Sequence, residues 1–160
     1  MSSEAFPEFV QSLGPAFRSD DPQSNTRMME RDHMTALERI YQALSEGRYE
    51  AIGPELTEDV ELEIIGPAVV PFIGRWKGIA PVLQAIQKNF THVRNQRPEI
   101  VSLTAQGDSI VVVAREQGES VKTGNAYDIH WVQIFTFRDG KLCRIHEVAD
   151  GLDLALAFTE

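Results

Sequence analysis

The chain has 160 residues, a formal net charge of −9 and one cysteine. This length is typical of one domain, and a single cysteine excludes an intramolecular disulfide and any multi-cysteine zinc site. The negative charge disfavours nucleic acid and anionic membranes as partners, because phosphate groups attract clusters of Lys and Arg. The start, MSSEAFPEFV, has no basic segment followed by an apolar one, and no apolar run is long enough to span a bilayer. We therefore expect a cytoplasmic protein with neither a membrane nor a nucleic-acid partner.

Residues 1–27 are predicted to form an N-terminal arm and linker. Apolar side chains recur there at nearly helical spacing (Phe6, Phe9, Val10, Leu13 and Phe17), and a polar segment follows them. Such an arm can cap the domain, dock on a second subunit, or remain a partly ordered tail. All three alternatives fit the pattern.

The next part of the chain is mostly helical. The hydrophobic spacing predicts a helix over about 26–46, a short helix over 48–56, a strand over 59–65 and a third helix over about 79–92. One stripe of the first helix carries Leu37, Ile40, Tyr41 and Leu44. Trp76, at the entrance to the third helix, is interpreted as a packing anchor, with stacking on a ligand as the alternative.

The remainder predicts two β-hairpins. Turn signals at Gly107-Asp108 and Asp139-Gly140 separate strands over 99–106 and 109–117 and then over about 127–138 and 141–150. The order of elements predicts an α+β fold, in which a cone-shaped, curved antiparallel sheet wraps around about three N-terminal helices and leaves a concave pocket.

Glu147 is the first candidate functional residue. Side chains alternate across a strand, and this alternation places Glu147 on a row with Cys143, Ile145 and Ala149. A carboxylate is unusual on a row that is otherwise small and apolar. We therefore expect Glu147 to face the pocket.

Several segments resemble one known superfamily. They are Gly47–Ile52 after the first helix, Thr57–Val60 at the first strand, Gly74–Gly78 before the third helix, and the hairpin from Tyr127 to Asp150. Together with the order of elements, they resemble the nuclear transport factor two-like superfamily, and within it the SnoaL-like group of polyketide cyclases, ketosteroid isomerases and limonene epoxide hydrolases. The resemblance covers 28–150, which leaves 151–160 as a C-terminal tail. It is specific for the fold and weak for the reaction, since this fold carries many functions.

The resemblance implies which residues line the pocket. They are Leu62 and Ile64 from the first strand, Val113, Arg115 and Gln117 from the first hairpin, and Trp131, Gln133, Phe135, Ile145 and Glu147 from the last two strands. An apolar pocket with four polar groups suits an apolar small molecule that carries a few oxygens. The superfamily also implies a homodimer through the convex sheet face, where Val132, Ile134 and Val148 lie.

The reaction residues of the relatives are only partly present. The tyrosine, the aspartate base and the protonated aspartate of the steroid isomerases fall at Ile40, Ile64 and Gln133; Tyr41 is one residue away, a turn of about 100° around the helix. Arg115 and Glu147 match the arginine and one acid of the epoxide hydrolases, whereas Gln117 replaces the other acid, and Leu62 and Ile64 replace the residues that hold water. The polyketide cyclases use an acid on the closing strand, a role that Glu147 can fill.

Two hypotheses follow. In the leading hypothesis, the chain is an enzyme that acts on an apolar substrate without cofactor or metal. Its class is then isomerase, cyclase/lyase or hydrolase. Glu147 is then the general acid/base, Arg115 its partner and Gln133 a group that orients the substrate, with Trp76 among the substrate contacts. Burial raises the pKa of Glu147 in this hypothesis, and a nearby Arg115 lowers it. In the alternative, the chain is a non-catalytic module for binding hydrophobic ligands or for association, and a structural ion pair joins Arg115 to Glu147.

Overall fold

A computed structural model describes the chain from Asn25 to Glu160, so the predicted N-terminal arm lies outside the described residues. The elements in chain order are helix α1 (Asn25–Ser45), a 3-10 helix (Tyr49–Glu55), strands β1 (Leu56–Ile65) and β2 (Gly74–Lys77), helix α2 (Ile79–Asn89), strands β3 (Val93–Gln106), β4 (Ser109–Ser120), β5 (Ala126–Arg138) and β6 (Lys141–Ala149), and helix α3 (Gly151–Phe158). The predicted α+β class is confirmed.

The six strands form one curved, unclosed sheet in the order β2-β1-β6-β5-β4-β3. Neighbouring strands are antiparallel except β1 and β6, which run parallel. The sheet is therefore mixed, where the sequence predicted an antiparallel one. Parallel neighbours need a long connection between them, and here the segment from β2 to β5 lies between the two strands along the chain. An interpretation that pairs only successive strands misses this contact.

The helices cover the concave side of the sheet. Leu37, Ile40 and Tyr41 are buried on α1, and Leu44 packs against the same core, which confirms the predicted stripe. Helix α2 buries Val82 and Ala85. In the described part of the chain, no helix is long and apolar enough to cross a membrane.

Three elements differ from the prediction. Strand β2 forms between the first strand and the third helix, where no strand was predicted. Strand β3 begins at Val93 rather than at residue 99, and the expected C-terminal tail contains α3. The start of β3 was predicted too late because of Pro98, since a proline cannot donate a hydrogen bond to a neighbouring strand. Strand β3 is at the edge of the sheet, where a proline is tolerated. Helix α3 has only eight residues, too few for a clear helical period.

Candidate active site

A cavity of about 170 Å³ lies between the concave face of the sheet and the helices. Its wall is mostly aliphatic and aromatic. Seven of the residues expected in the pocket line it, namely Leu62, Ile64, Trp131, Gln133, Phe135, Ile145 and Glu147. The other polar side chains in the wall are Tyr41, Asn89, Gln96, Glu116 and Tyr127. Apart from Asn89, the polar side chains of the wall form two hydrogen-bonded clusters.

The first cluster, the acid cluster, consists of Tyr41, Gln133 and Glu147. Gln133 on β5 lies directly opposite Glu147 on β6, so their side chains meet on the concave face. The Gln133 amide donates from Nε2 to Glu147 Oε2 at 2.6 Å, and the Tyr41 hydroxyl donates to Gln133 Oε1 at 2.6 Å. Tyr41 therefore enters the site one residue away from the position that the resemblance assigns to a tyrosine.

The environment of Glu147 changes its protonation. Burial raises the pKa of Glu147 to about 7; the hydrogen bond from Gln133 lowers it by less, and the negative charge of Glu116 raises it further. Burial, together with the charge of Glu147, also raises the pKa of Tyr41 well above its usual value. Near neutral pH, Glu147 is thus present in both protonation states, whereas Tyr41 keeps its proton.

The second cluster, the acceptor cluster, surrounds Glu116 on β4. Glu116 Oε1 accepts from Gln96 Nε2 at 2.9 Å and from the Tyr127 hydroxyl at 2.7 Å, and Oε2 accepts from Trp131 Nε1 at 3.1 Å. Burial and the charge of Glu116 hold the pKa of Tyr127 far above its usual value, so its hydroxyl remains a donor. Three donors therefore hold one carboxylate in the wall of an apolar cavity.

A β-bulge brings Gln96 into this cluster. The pairing of β3 with β4 shifts between Arg94 and Arg97, which adds one residue to β3. Asn95 takes a left-handed conformation with φ of 54°, which asparagine tolerates better than most residues. The bulge turns Gln96 inward, where only 7% of its surface is exposed.

The sequence analysis placed the wrong row of β4 in the pocket. Arg115 lies opposite His130, and Glu116 lies opposite Ile129, so Glu116 faces the cavity and Arg115 faces the convex side. Arg115 Nε donates to Asp128 Oδ1 at 2.7 Å, and Gln117 Nε2 donates to Asp128 Oδ2 at 2.9 Å. The expected contact of Arg115 with Glu147 is therefore wrong, and so is the expected place of Arg115, Gln117 and Val113 in the pocket wall.

The sequence did not decide which row of β4 faces the cavity, because both rows are apolar at first and both end in polar residues. The cross-strand register of β4 and β5 carries the missing signal. His130 precedes Trp131, which lines the cavity, so His130 is on the convex face, and the residue opposite it must share that face. Fixing this register identifies Glu116 as the inward-facing acid, which the sequence analysis missed.

Two further positions differ in detail. Trp76 lies on β2 opposite Leu62 and is partly buried against the core, but it does not line the cavity. The packing interpretation therefore fits it, and the expected ligand contact does not. The pairing of β5 with β6 shifts between Thr136 and Phe137, and Leu142 rather than Cys143 lines the cavity as a result.

A metal site was not expected from the sequence. Between Asn25 and Glu160, no group of three or more His, Cys, Asp or Glu side chains is arranged to hold a metal ion. The polar groups in the cavity wall are mainly carboxyl, amide and hydroxyl groups.

Several solved structures have the same fold as this chain. An NTF2-like protein from Burkholderia xenovorans LB400 is 24% identical, with a TM-score of 0.71 over 81% of this chain and 97% of that one. A proposed SnoaL-like polyketide cyclase from Jannaschia is 17% identical, with a TM-score of 0.66 over 82% and 92%. An LEH-like epoxide hydrolase from M. tuberculosis is 15% identical, with a TM-score of 0.57 over 74% and 83%. At these identities the similarity establishes the fold alone.

The curved sheet, the helices on its concave side and the cavity between them define a pocket protein of the nuclear transport factor two-like fold. A family model for the SnoaL-like domain matches residues 37–145. The chain belongs to this family, as the resemblance predicted. No match was found among curated proteins.

Proposed function

We propose that the chain is a cofactor-independent enzyme of the isomerase, cyclase or hydrolase kind, with Glu147 as its general acid/base. The observation that supports this is the placement of Glu147: a carboxyl group in an apolar cavity, held by an uncharged amide, with a pKa of about 7. A general acid/base is most effective when its pKa is near the working pH. Some SnoaL-like and NTF2-like proteins are cyclases, isomerases or epoxide hydrolases, which agrees with this class.

In the proposed reaction, ionised Glu147 removes a proton from a carbon next to a substrate carbonyl. The electron pair of the broken C–H bond moves onto the carbonyl oxygen, which gives an enolate. Protonated Glu147 then returns the proton to another carbon. In a cyclisation, the enolate carbon instead attacks a second carbonyl carbon of the substrate, the π pair of that C=O bond moves onto its oxygen, and this oxygen takes the proton from Glu147. Gln133 is the positioning residue, because its amide fixes Glu147 Oε2 and its own carbonyl is held by Tyr41.

The test uses 5-nitrobenzisoxazole, a small, fused two-ring aromatic probe for a desolvated base. A base removes its C–H proton, the N–O bond breaks, and a coloured cyanonitrophenolate forms. We expect the protein to accelerate this elimination, with a rate that rises with pH through about 7, and Glu147→Gln to lose on the order of 100-fold. Glu61→Gln is the matched control, since Glu61 bonds to Lys77 on the convex face and its loss should leave the rate unchanged.

An equal rate in Glu147→Gln and in the unmodified protein would contradict the proposal. The non-catalytic alternative, a module that binds apolar ligands, predicts a different result. In that case the probe binds in the cavity and is not consumed faster than in a solution of free carboxylate.

We also propose that a second copy of the chain covers the convex face. Four residues form a continuous apolar row there across β1, β6, β5 and β4, namely Ile65, Val148, Val132 and Val113. Ile65 and Val148 are each 43% exposed, although they are large enough to contribute to a core. A row of this kind favours association through the sheet.

A further inference from the structure

The acceptor cluster contains a hydrogen-bonding group that the protein leaves unused. Gln96 Oε1 is buried and has no hydrogen-bond partner, although Gln96 lines the cavity. The amide cannot be turned to correct this, because its NH2 group donates to Glu116 Oε1 and the reversed amide would set two oxygens against each other. A buried acceptor without a partner is costly. In this structure Oε1 is closed to a water-sized molecule, so a ligand gains from donating to it once the cavity wall shifts to uncover this atom.

The donors of two neighbouring side chains are already used. The hydroxyl of Tyr127 and the indole N–H of Trp131 both donate to Glu116. This end of the cavity therefore presents oxygen atoms that accept hydrogen bonds, and it favours a ligand group that donates one.

The charge of the wall restricts the ligand further. Glu116 and Glu147 both line the cavity, and none of the described residues in its wall is Lys, Arg or His. A carboxylate, sulfate or phosphate group would enter this space without a counter-charge, next to two acids. The burial of such an unpaired charge is strongly unfavourable.

The size of the cavity sets the scale of the ligand. An apolar cavity of about 150 Å³ accepts benzene, and this cavity is of about the same volume, 170 Å³. One ring with small substituents fits. The residues opposite Glu116 and Glu147 on β5 are Ile129 and Gln133, four positions or about 13 Å apart along the strand. The side chains of Glu116 and Glu147 line the same small cavity, so a ligand that fills it lies near both acids.

We propose that the substrate is an uncharged, one-ring molecule with a hydroxyl or N–H donor at one end and a carbonyl at the other. The donor binds Gln96 Oε1, and the carbonyl end reaches Glu147. The carbonyl part of this assignment rests on the proposed function, whereas the donor part rests on the acceptor cluster alone.

Three related ketones test the donor part on the unmodified protein. They are 4′-hydroxyacetophenone, 4′-methoxyacetophenone and 4-acetylbenzoate, and their binding is measured by calorimetry at pH 6. We expect the hydroxyl compound to bind at least about tenfold more tightly than the methoxy compound, which cannot donate to a buried acceptor. The anionic acetylbenzoate should show no binding. Equal affinity for the first two, binding of the anion, or no binding of any of the three overturns the proposal.

A second measurement separates this proposal from the proposed function. Deuterium exchange into the methyl group of 4′-hydroxyacetophenone reports proton removal by Glu147, and Glu147→Gln should abolish it. The same variant should keep the preference for the hydroxyl compound. Preference for the hydroxyl compound without deuterium exchange contradicts the acid/base role alone. Deuterium exchange without this preference contradicts the donor assignment alone.

Gln96→Leu tests the acceptor directly. It should reduce the preference for the hydroxyl compound to less than about twofold, and an unchanged preference in this variant would overturn the role of Gln96.

Discussion

Two enclosed carboxylates on neighbouring strands of the sheet have opposite environments. Glu63, on the convex face, forms ion pairs with Arg75 and Arg144, the second at 3.5 Å. Glu147, on the concave face, is hydrogen-bonded to the uncharged amide of Gln133. Paired charges of the first kind are commonly structural. A carboxyl group that is buried without a cation has a raised pKa, which is suited to proton transfer.

The raised pKa of Glu147 predicts a particular pH dependence of stability. The pKa is about 7 in the folded chain and 4.5 as the ordinary value, so between these pH values the folded state binds more protons than the unfolded state. The contribution of Glu147 to the free energy of unfolding must therefore fall as the pH rises from about 4.5 to 7. Glu147→Gln carries no such loss, and it should be more stable than the unmodified protein by about 3 kcal/mol at pH 8 and equally stable at pH 4.

Chemical denaturation at a series of pH values measures this difference. Glu61→Gln serves as the control, because its carboxylate is exposed and should not reproduce the effect. If Glu147→Gln were less stable at pH 8, Glu147 would instead be an ionised group held by favourable contacts.

At the scale of elements, the register between β4 and β5 determines which acids face the cavity. Gly118 lies opposite Tyr127 in this register, and a Cβ atom at Gly118 would come within 2.5 Å of Tyr127 Cζ. The ring of Tyr127 therefore crosses Gly118 to reach Glu116. The sequence contained this glycine, but only the register shows which aromatic side chain needs the space.

Gly118→Ala should consequently displace Tyr127 and destabilise the fold by roughly 1–3 kcal/mol, as overpacked positions do. Thermal or chemical denaturation measures the change. Gly151→Ala is the matched control, since its Cβ would meet Pro67 only at an ordinary 3.5 Å. Equal stability of the two variants would show that the ring of Tyr127 does not lie across Gly118.

Helix α3 closes part of the cavity with Leu154, which is 1% exposed. Leu156, on the same helix, is 60% exposed. Leu154→Ala should cost about 2–5 kcal/mol of unfolding free energy, whereas Leu156→Ala should change it by less than about 0.5 kcal/mol. Denaturation of the two variants side by side tests this, and a similar cost for both would mean that α3 does not pack as described.

At the scale of the whole molecule, much of the architecture was predictable. The turn signals around the hairpins and the stripe on α1 gave correct assignments, because each depends on a local pattern of residues. The family resemblance correctly placed Trp131, Gln133 and Phe135 of β5 in the cavity wall. The parallel contact of β1 with β6, the inward row of β4 and the position of Gln96 were not predictable in the same way. They depend on cross-strand register and on a bulge, neither of which a hydrophobic period encodes.

The apolar row on the convex face predicts that the chain is a homodimer in solution. Light scattering after gel filtration should give twice the mass of the chain. Val148→Lys places a charge in the centre of the row and should shift the protein towards the monomer, raising the dimer dissociation constant at least about tenfold. Val121→Lys, in the turn between β4 and β5, should not. A monomer at high protein concentration, before any substitution, would contradict this assembly.

The most direct test is an NMR titration of the Glu147 carboxyl carbon in protein labelled with ¹³C-glutamate. The Glu147 signal is assigned by its loss in Glu147→Gln. A midpoint near pH 7 is the predicted result, and it would establish a group that both donates and accepts protons at neutral pH. A midpoint near the ordinary value of 4.5 would show that Glu147 is ionised and solvated, and it would contradict the acid/base role.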